Sequence, residues 1–195
     1  LHSIVDWRGK TVLEGGLGTG RVTEMFDAQA RRVVGCDREA HMLDAARERL
    51  ARFAGKLDLR VADNRDLPLL PDQADIFIEG WSWGHAVVDG PGDVEAVADA
   101  LFAQARKNLV PGGFVALIET LGTNALSPAA PHPRLAEFYQ ILQSRYGLRQ
   151  TALSTDYRFS SPAEAADALG FFFGDGLGQA VRASGSAIVP EWTGV

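Results

Sequence analysis

Short apolar runs alternate with segments of helical period through the first two thirds of the chain, and this alternation constrains the fold more than any other feature. Apolar runs of strand length cover 10–14, 32–36, 57–62, 74–79 and 114–119. Between several of them, apolar residues recur every three to four positions, as in a helix that packs on a sheet. Strands that alternate with helices form parallel sheets covered on both faces. The sequence therefore predicts an α/β fold with a Rossmann-like, doubly wound sheet.

The last third of the sequence has a different pattern of predicted elements. A proline-rich loop over 121–133 precedes a helix with an apolar face formed by Leu135, Phe138, Leu142 and Tyr146. A strand is expected over 148–159, a helix from the Ser161-Pro162-Ala163-Glu164 capping box, and a final strand over 186–195. No linker divides the chain, so we expect one domain over 1–195. Because the sequence lacks an initial methionine and stops within a strand pattern, we also expect further residues at both ends.

Composition and charge narrow the range of partners. The 195 residues carry a formal net charge of −6 and one cysteine, Cys36. A net negative charge gives no electrostatic attraction to the phosphates of a nucleic acid. No apolar segment reaches the length of a membrane-spanning helix. A single cysteine in an apolar run suits a reducing compartment. The expectation is a cytoplasmic protein with neither a nucleic-acid nor a membrane partner; its oligomeric state stays open.

A glycine-rich turn follows the first predicted strand, in the string Val12-Leu13-Glu14-Gly15-Gly16-Leu17-Gly18-Thr19-Gly20. Glycines at this point let the backbone approach a ligand at the carboxyl edge of the sheet. A nicotinamide dinucleotide fingerprint does not fit, because Arg21 stands at its third small position. A Walker A loop does not fit either, since no Gly-Lys-Ser/Thr follows.

Acids end the next strands. Asp37 follows the turn by about 20 residues, where a carboxylate can accept both ribose hydroxyls. Asp63 and Asn64 end the third strand and could read an adenine edge, while Glu14 ends the first strand and could face a cation. Local roles remain as alternatives, with Asp37 as a helix cap and Asp63 as a turn former.

Four strings in order carry a family resemblance. VLEGGLGTG, VVGCDREAHMLDAARERL, VADNRDLPLLPDQAD and LVPGGFVALIE resemble VLDLGCGTG, VxGxDxSxxMLxxAR, GDAxxLPFPDxxFD and LKPGG of the class I S-adenosylmethionine-dependent methyltransferases, small-molecule type. The match covers roughly 10–120. It implies a mostly parallel sheet with an antiparallel last strand, S-adenosylmethionine as cofactor, S-adenosylhomocysteine as product and a small-molecule acceptor.

The resemblance also implies roles for residues. Glu14, Gly16, Leu17, Gly18 and Gly20 would surround the methionine part of the cofactor, and Asp37 with Arg38 would take the ribose region. Met42, Asp63 and Asn64 would lie at the base, and Glu79 near the cofactor. The sequence departs from the family at Gly15, where an apolar residue is usual, at Leu17 and at Ala62; Gly15 should make the loop more flexible and weaken cofactor binding.

The string IFIEGWSWGH over 76–85 contains GWSWG, which fits the Gly-x-Ser-x-Gly pattern of a nucleophile elbow. We expect no helix directly after it and find no ordered triad, so a serine hydrolase is the weaker interpretation. Under the resemblance, Trp81, Ser82 and Trp83 form a wall of the acceptor pocket; alternatively, one tryptophan is core.

His85 is the candidate catalytic base, because an imidazole can remove a proton near neutral pH. The alternative is that His85 only hydrogen-bonds the loop. The loop 121–133 and Phe171-Phe172-Phe173 could also shape the pocket, although three consecutive phenylalanines favour core packing. The acids show no spacing typical of a metal site, so no metal is expected. A cofactor-binding regulatory protein without catalysis remains a second interpretation.

Overall fold

A seven-stranded sheet forms the centre of the protein, whose computed structural model describes all 195 residues. The strands are β1 (Thr11–Gly15), β2 (Arg32–Asp37), β3 (Leu57–Val61), β4 (Ala74–Gly80), β5 (Leu109–Thr123), β6 (Ala152–Ser154), β7 (Tyr157–Arg158), β8 (Ile188–Val189) and β9 (Glu191–Gly194). The main sheet has the order β3-β2-β1-β4-β5-β9-β6, and β7 pairs with β8 separately. β1 to β5 are parallel and β9 is antiparallel to β5. The predicted doubly wound sheet with an antiparallel last strand is confirmed.

Seven helices surround the sheet. They are α1 (Thr23–Phe26), α2 (Ala40–Arg49), α3 (Ser82–Asp89), α4 (Val94–Lys107), α5 (Pro133–Ser144), α6 (Pro162–Phe173) and α7 (Asp175–Ser184), and a 3-10 turn covers Ala51–Lys56. None of them is long and apolar enough to cross a lipid bilayer.

Alternate side chains of the strands build two cores, one on each face. On the first face, Val12, Ile76 and Ile78 pack with Phe26 and with Trp7, whose ring stacks on Phe26 at 4.3 Å. On the second face, a larger cluster joins the strands to α3, α4 and α5. Because both faces of the central strands are buried, their sequences read as continuous apolar runs.

Several predicted elements differ from the structure. The expected strand over 148–159 is two short strands, β6 and β7, and the one over 186–195 is β8 and β9, separated at Pro190. Proline cannot donate to a ladder, and here the chain changes from one sheet to the other. The first helix, α1, is a single turn of four residues, and its Met25 is 52% exposed.

The helices α6 and α7 form a hairpin with a small core of its own. Gly170 and Gly178 let the two backbones touch, since a Cβ on Gly178 would lie 2.9 Å from the Gly170 Cα. Ser161 caps α6 by accepting from the Glu164 N–H at 3.2 Å, while Glu164 Oε2 accepts from the Ser160 N–H at 2.8 Å and not from Ser161, so half of the predicted capping box is formed. Phe171, Phe172 and Phe173 end α6 and are 83%, 74% and 52% exposed. The expectation of core packing for these phenylalanines is therefore wrong.

Candidate functional site

The glycine-rich turn lies between β1 and α1, at the carboxyl edge of the parallel strands. Gly16, Gly18 and Gly20 have φ of +64°, +56° and +80°, which side chains rarely adopt. The N–H groups of Gly16 and Thr19 donate to no acceptor within the protein. Two free backbone donors on a glycine turn suit a carboxylate or another acceptor-only group.

Asp37 fixes this turn from the end of β2. Its Oδ2 accepts from the Gly18 N–H at 2.8 Å and its Oδ1 from the Glu39 N–H at 2.9 Å. Each carboxylate oxygen can accept a second bond, so the half-buried Asp37 can still receive hydroxyl donors. The alternative of a helix cap is wrong, because α2 begins at Ala40 with Glu39 as its N-cap and without a side-chain cap; Asp37 instead closes a turn with the Glu39 N–H and keeps capacity for a ligand.

The unusual Gly15 has a steric cause. A Cβ at this position would lie 2.5 Å from Asn64 Oδ1 and 3.1 Å from Phe77 Cζ. The amide of Asn64 occupies the place of the usual apolar side chain and donates to Ser82 Oγ at 3.1 Å. Asn64 therefore joins the turn to the start of α3, and its side chain points toward Gly15 and Ser82 and away from the predicted adenine position.

Glu14 lies behind the turn and faces α1. Its carboxyl is 1% exposed and accepts a hydrogen bond from Thr23 Oγ1. Burial raises the pKa of Glu14 to about 8, against the lowering effect of Thr23, and the nearby Glu79 and Asp37 raise it further. Glu14 therefore lies behind the glycine turn, where its protonation state changes the electrostatic potential at the carboxyl edge of the sheet.

Two buried carboxyls hold the start of α3. Glu79 Oε2 accepts from the Ser82 and Trp83 N–H groups at 2.9 and 3.0 Å, and Glu119 Oε1 accepts from the Gly84 N–H at 2.6 Å. These two carboxylates accept the first N–H groups of α3 in place of an N-cap side chain, because the side chain of Trp81 at the N-cap position makes no such hydrogen bond. Burial raises the pKa of Glu79 to about 7, against the lowering effect of these donors. Burial and the charge of Glu79 also raise the pKa of Glu119.

The turn between β4 and α3 corrects one expectation. A helix begins at Ser82 directly after the strand, and Trp81 between them has φ 58°. The expected absence of a helix after GWSWG is therefore wrong, and the turn has the outline of a nucleophile elbow. No local capping signal precedes this helix in the sequence, because the capping acids belong to β4 and β5.

The partners of Ser82 differ from those of a nucleophilic serine. Its Oγ accepts from Asn64, and its single proton is within reach of Glu79 Oε2 at 2.9 Å and of the Gly15 carbonyl at 3.2 Å. None of these partners is an imidazole, which a hydrolase triad would place there. Instead the Ser82 side chain fills the space that a Cβ on Gly16 would need. Ser82 therefore joins the glycine turn to α3.

The two tryptophans of GWSWG have different environments. Trp83 is fully buried, and the centroid of its ring lies 5.3 Å from that of Phe77 and 5.1 Å from that of Phe102. A fully buried side chain cannot line an open pocket, so Trp83 is core and not part of an acceptor wall. Trp81 is half-buried, and the guanidinium of Arg21 lies over its ring at 5.6 Å from the centroid.

The remaining predicted residues lie at or near the same edge. His85 is 80% exposed in its side chain, with Nδ1 3.4 Å from Asp89 Oδ2 on the same helix. Arg38 is exposed and pairs with Glu39, and Met42 is half-buried on α2. Asp63 is chelated by Arg65, whose hydrogen bonds lower the pKa of this carboxyl against the raising effect of burial. Leu17 is buried against Gly35, so only its backbone faces the edge.

Two open grooves lie outside this edge. One of about 390 Å³ runs beside β5 and is lined partly by the loop expected to shape a pocket. Its lining residues include Leu121, Pro128, Ala130, Tyr139 and Gln143. The other lies at the amino edge of the sheet, around Arg31 and Arg32. Neither groove includes the glycine turn, and no group of three or more His, Cys, Asp or Glu side chains is arranged to hold a metal ion.

Sequence reasoning missed Glu119 and the position of Arg21. Glu119 is the last residue of the predicted fifth strand and stands in an apolar run, which is the available signal for a buried acid. The sequence identifies Arg21 only as a residue that does not fit a dinucleotide-binding fingerprint. Both lie beside the turn that follows β4.

Comparisons with known proteins agree with this geometry. The family model described as "Methyltransferase domain" matches residues 12–113. An uncharacterised methyltransferase of Geobacillus kaustophilus is 28% identical over 120 residues, which cover 62% of this chain and 51% of that protein. The chain thus spans about half the length of the curated relatives it matches.

Solved structures show the same fold. The YcgJ protein of Bacillus subtilis has a TM-score of 0.63 at 14% identity, covering 98% of this chain and 92% of that one. A candidate RNA methyltransferase of Pyrococcus horikoshii has a TM-score of 0.57 at 16% identity, covering 99% and 78%. The family match spans just over half of the 195 residues and contains the glycine turn, Asp37, Asp63 and the β4–α3 turn. The chain belongs to the methyltransferase-domain family.

Proposed function

We propose that this chain transfers a methyl group from S-adenosylmethionine to a small-molecule acceptor by in-line displacement. The observation that carries the proposal is the glycine turn at the carboxyl edge, with Asp37 bonded to the Gly18 N–H in a chain of the methyltransferase-domain family. When bound, S-adenosylmethionine supplies a methyl group on a sulfonium, which is a good leaving group.

The residues at the edge fit such a cofactor. The free N–H groups of Gly16 and Thr19 suit its carboxylate, and the remaining acceptor capacity of Asp37 suits its ribose hydroxyls. A Cβ on Gly18 would meet nothing within 4 Å, so the turn is open on that side. Arg38, Met42 and Asp63 surround the ends of β2 and β3, where the base would lie.

The chain itself contributes mainly alignment. A donor and an acceptor held in line can gain about 7 to 11 kcal/mol relative to free reactants. Ser82 and Asn64 join the glycine turn to α3, so the cofactor side and the acceptor side are fixed to each other. Trp81 lies at this junction, and we assign its half-buried side chain the contact with the acceptor.

The proton of the acceptor leaves to a base or to water. His85 remains the candidate base, although its exposure and its contact with Asp89 favour the alternative of a local hydrogen bond. A small acceptor is preferred over RNA because the net charge of −6 gives no favourable field for a polyphosphate.

The test is a transfer assay with methyl-labelled S-adenosylmethionine and a panel of small hydroxyl, amine, thiol and carboxyl acceptors. We expect label in at least one product. His85→Ala should keep cofactor affinity and lower the rate by about 100-fold or more if His85 is the base. An unchanged rate would remove that role from His85. Cofactor binding without transfer to any acceptor would favour the alternative of a regulatory protein.

A further inference from the structure

Two hydrogen-bond donors lie together where the glycine turn meets the β4–α3 turn. Arg21 follows Gly20, and its Cζ lies 5.6 Å from the centroid of the Trp81 ring. Arg21 makes no ion pair and no hydrogen bond within the protein, and the Trp81 Nε1 donates to no protein acceptor. We call Arg21 and Trp81 the donor cluster.

Arg21 has no ion-pair partner because the nearest acid along the chain, Glu24, already pairs with other arginines. Glu24, three residues along, is bound by Arg49 and Arg52 at 3.0 and 3.3 Å. The cation therefore remains available beside the turn, with its Cζ 5.6 Å from the centroid of the Trp81 ring. A guanidinium held on an aromatic ring loses less freedom when it binds a carboxylate or a phosphate.

Tyr157 belongs to the same electrostatic environment. Burial raises the pKa of its phenol, Glu191 raises it further, and Arg21 lowers it, so the guanidinium is close enough to act on this ring. Glu191 itself is 4% exposed and its Oε1 accepts from Thr120. Glu191 is thus turned into the protein and leaves Arg21 unpaired.

The backbone of Trp81 is a second, independent sign of function at this place. Its φ of 58° lies in the left-handed region, which costs about 1 kcal/mol or more for a residue other than glycine. Only Asn124 shares this feature among the other residues with side chains. The strained turn is held by the Trp81 N–H to the Ile118 carbonyl at 2.7 Å and by the acids that cap α3.

Arginine and tryptophan are donors only, so the cluster calls for a group that only accepts. We propose that the donor cluster binds an anionic group, a carboxylate or a phosphate, on the methyl acceptor, and that Arg21 is a specificity-determining residue. The inference rests on the proposed function, because it assigns the acceptor class of that same site. It gives the acceptor an anionic group that binds Arg21 beside the β4–α3 turn.

The direct test measures binding and does not depend on transfer. Protein saturated with S-adenosylhomocysteine is titrated calorimetrically with benzoate, phenyl phosphate and neutral benzamide. We expect the anions to bind at least about 10-fold more tightly than benzamide, and Arg21→Gln to remove that difference, since hydrogen bonds between charged groups are stronger than those between neutral groups. Arg149→Gln is the matched control, because Arg149 is exposed and unpaired outside the cluster.

Equal binding of benzoate, phenyl phosphate and benzamide to the wild-type chain would overturn the proposal, as would unchanged anion binding in Arg21→Gln. Arg21→Lys should restore part of the preference if the charge is the cause. In the transfer assay, acids should be better acceptors than their amides, and Arg21→Gln should raise KM for the acids alone. If the anions bind as expected while no acceptor is methylated, the transfer proposal fails and the anion site stands.

Discussion

At the scale of single residues, the site depends on acids that are buried as well as acids that face solvent. Glu14, Glu79 and Glu119 lie behind the carboxyl edge, with exposures of 1%, 0% and 5%. Their burial is compensated by specific donors, namely the Thr23 hydroxyl and the first N–H groups of α3. Buried carboxyls of this kind hold protons at higher pH than exposed ones.

The raised pKa of Glu79 predicts a pH dependence of stability. Between pH 4.5 and about 7 the unfolded chain ionises this group while the folded chain keeps the proton. The contribution of Glu79 to the free energy of unfolding should therefore fall as the pH rises through this interval and level off above it, while the more strongly shifted Glu14 continues to lower stability at higher pH. In Glu79→Gln this contribution is absent, so the variant should gain stability relative to the wild type between pH 4.5 and 7.

Urea denaturation at several pH values measures this difference, with the exposed Glu48→Gln as a control for the loss of one charge. A constant difference between Glu79→Gln and the wild type across the interval would contradict the assignment.

The steric role of Gly15 predicts a second outcome. Gly15→Ala places a Cβ against Asn64 and Phe77 and should cost about 1–3 kcal/mol of stability, as overpacking does. In an Asn64→Ala background the same change should cost clearly less, because the Asn64 amide is gone. Denaturant titration of the four proteins gives the coupling, and additive effects would show that Asn64 does not fill this space.

At the scale of elements, the sequence predicted those whose signals are local. The glycine turn and Asp37 were located correctly because strand, turn and strand-end acid are consecutive in the chain. The helix α3 was missed because Glu119, which caps it, lies 35 residues beyond Gly84. The exposure of Phe171 and its two neighbours was missed for a similar reason, since only the packing of α6 on α7 decides which residues lie at the tip.

The exposed tip of α6 predicts unequal effects of two changes in one helix. Phe171→Ser with Phe172→Ser should change stability by less than about 1 kcal/mol, because these side chains are 83% and 74% exposed. Leu169→Ala should cost about 2–4 kcal/mol, since Leu169 is 2% exposed in the hairpin core. Thermal denaturation compares the variants; a large loss in the double serine variant would mean that the phenylalanines are packed.

At the scale of the whole molecule, the order of strands places every proposed contact at one edge. β1, β2 and β4 are adjacent in the sheet, so the glycine turn, Asp37 and the Trp81 turn are neighbours although they are up to 65 residues apart in sequence. The resemblance in four motifs predicted this edge and the family. It could not predict the acceptor, because Trp81, the residue proposed to contact it, lies in the β4–α3 turn, where the sequence carries no family motif.

The central claim is that this edge binds S-adenosylmethionine through the glycine turn and Asp37. Calorimetric titration with S-adenosylhomocysteine tests it most directly, using Asp37→Asn, which keeps an acceptor for Gly18, and the exposed Asp44→Asn as a matched control on α2. The account predicts binding to the wild type and to Asp44→Asn, and binding at least about 10-fold weaker to Asp37→Asn, as expected for a lost bond to a charged group. No binding to the wild type, or equal binding to Asp37→Asn, would contradict it.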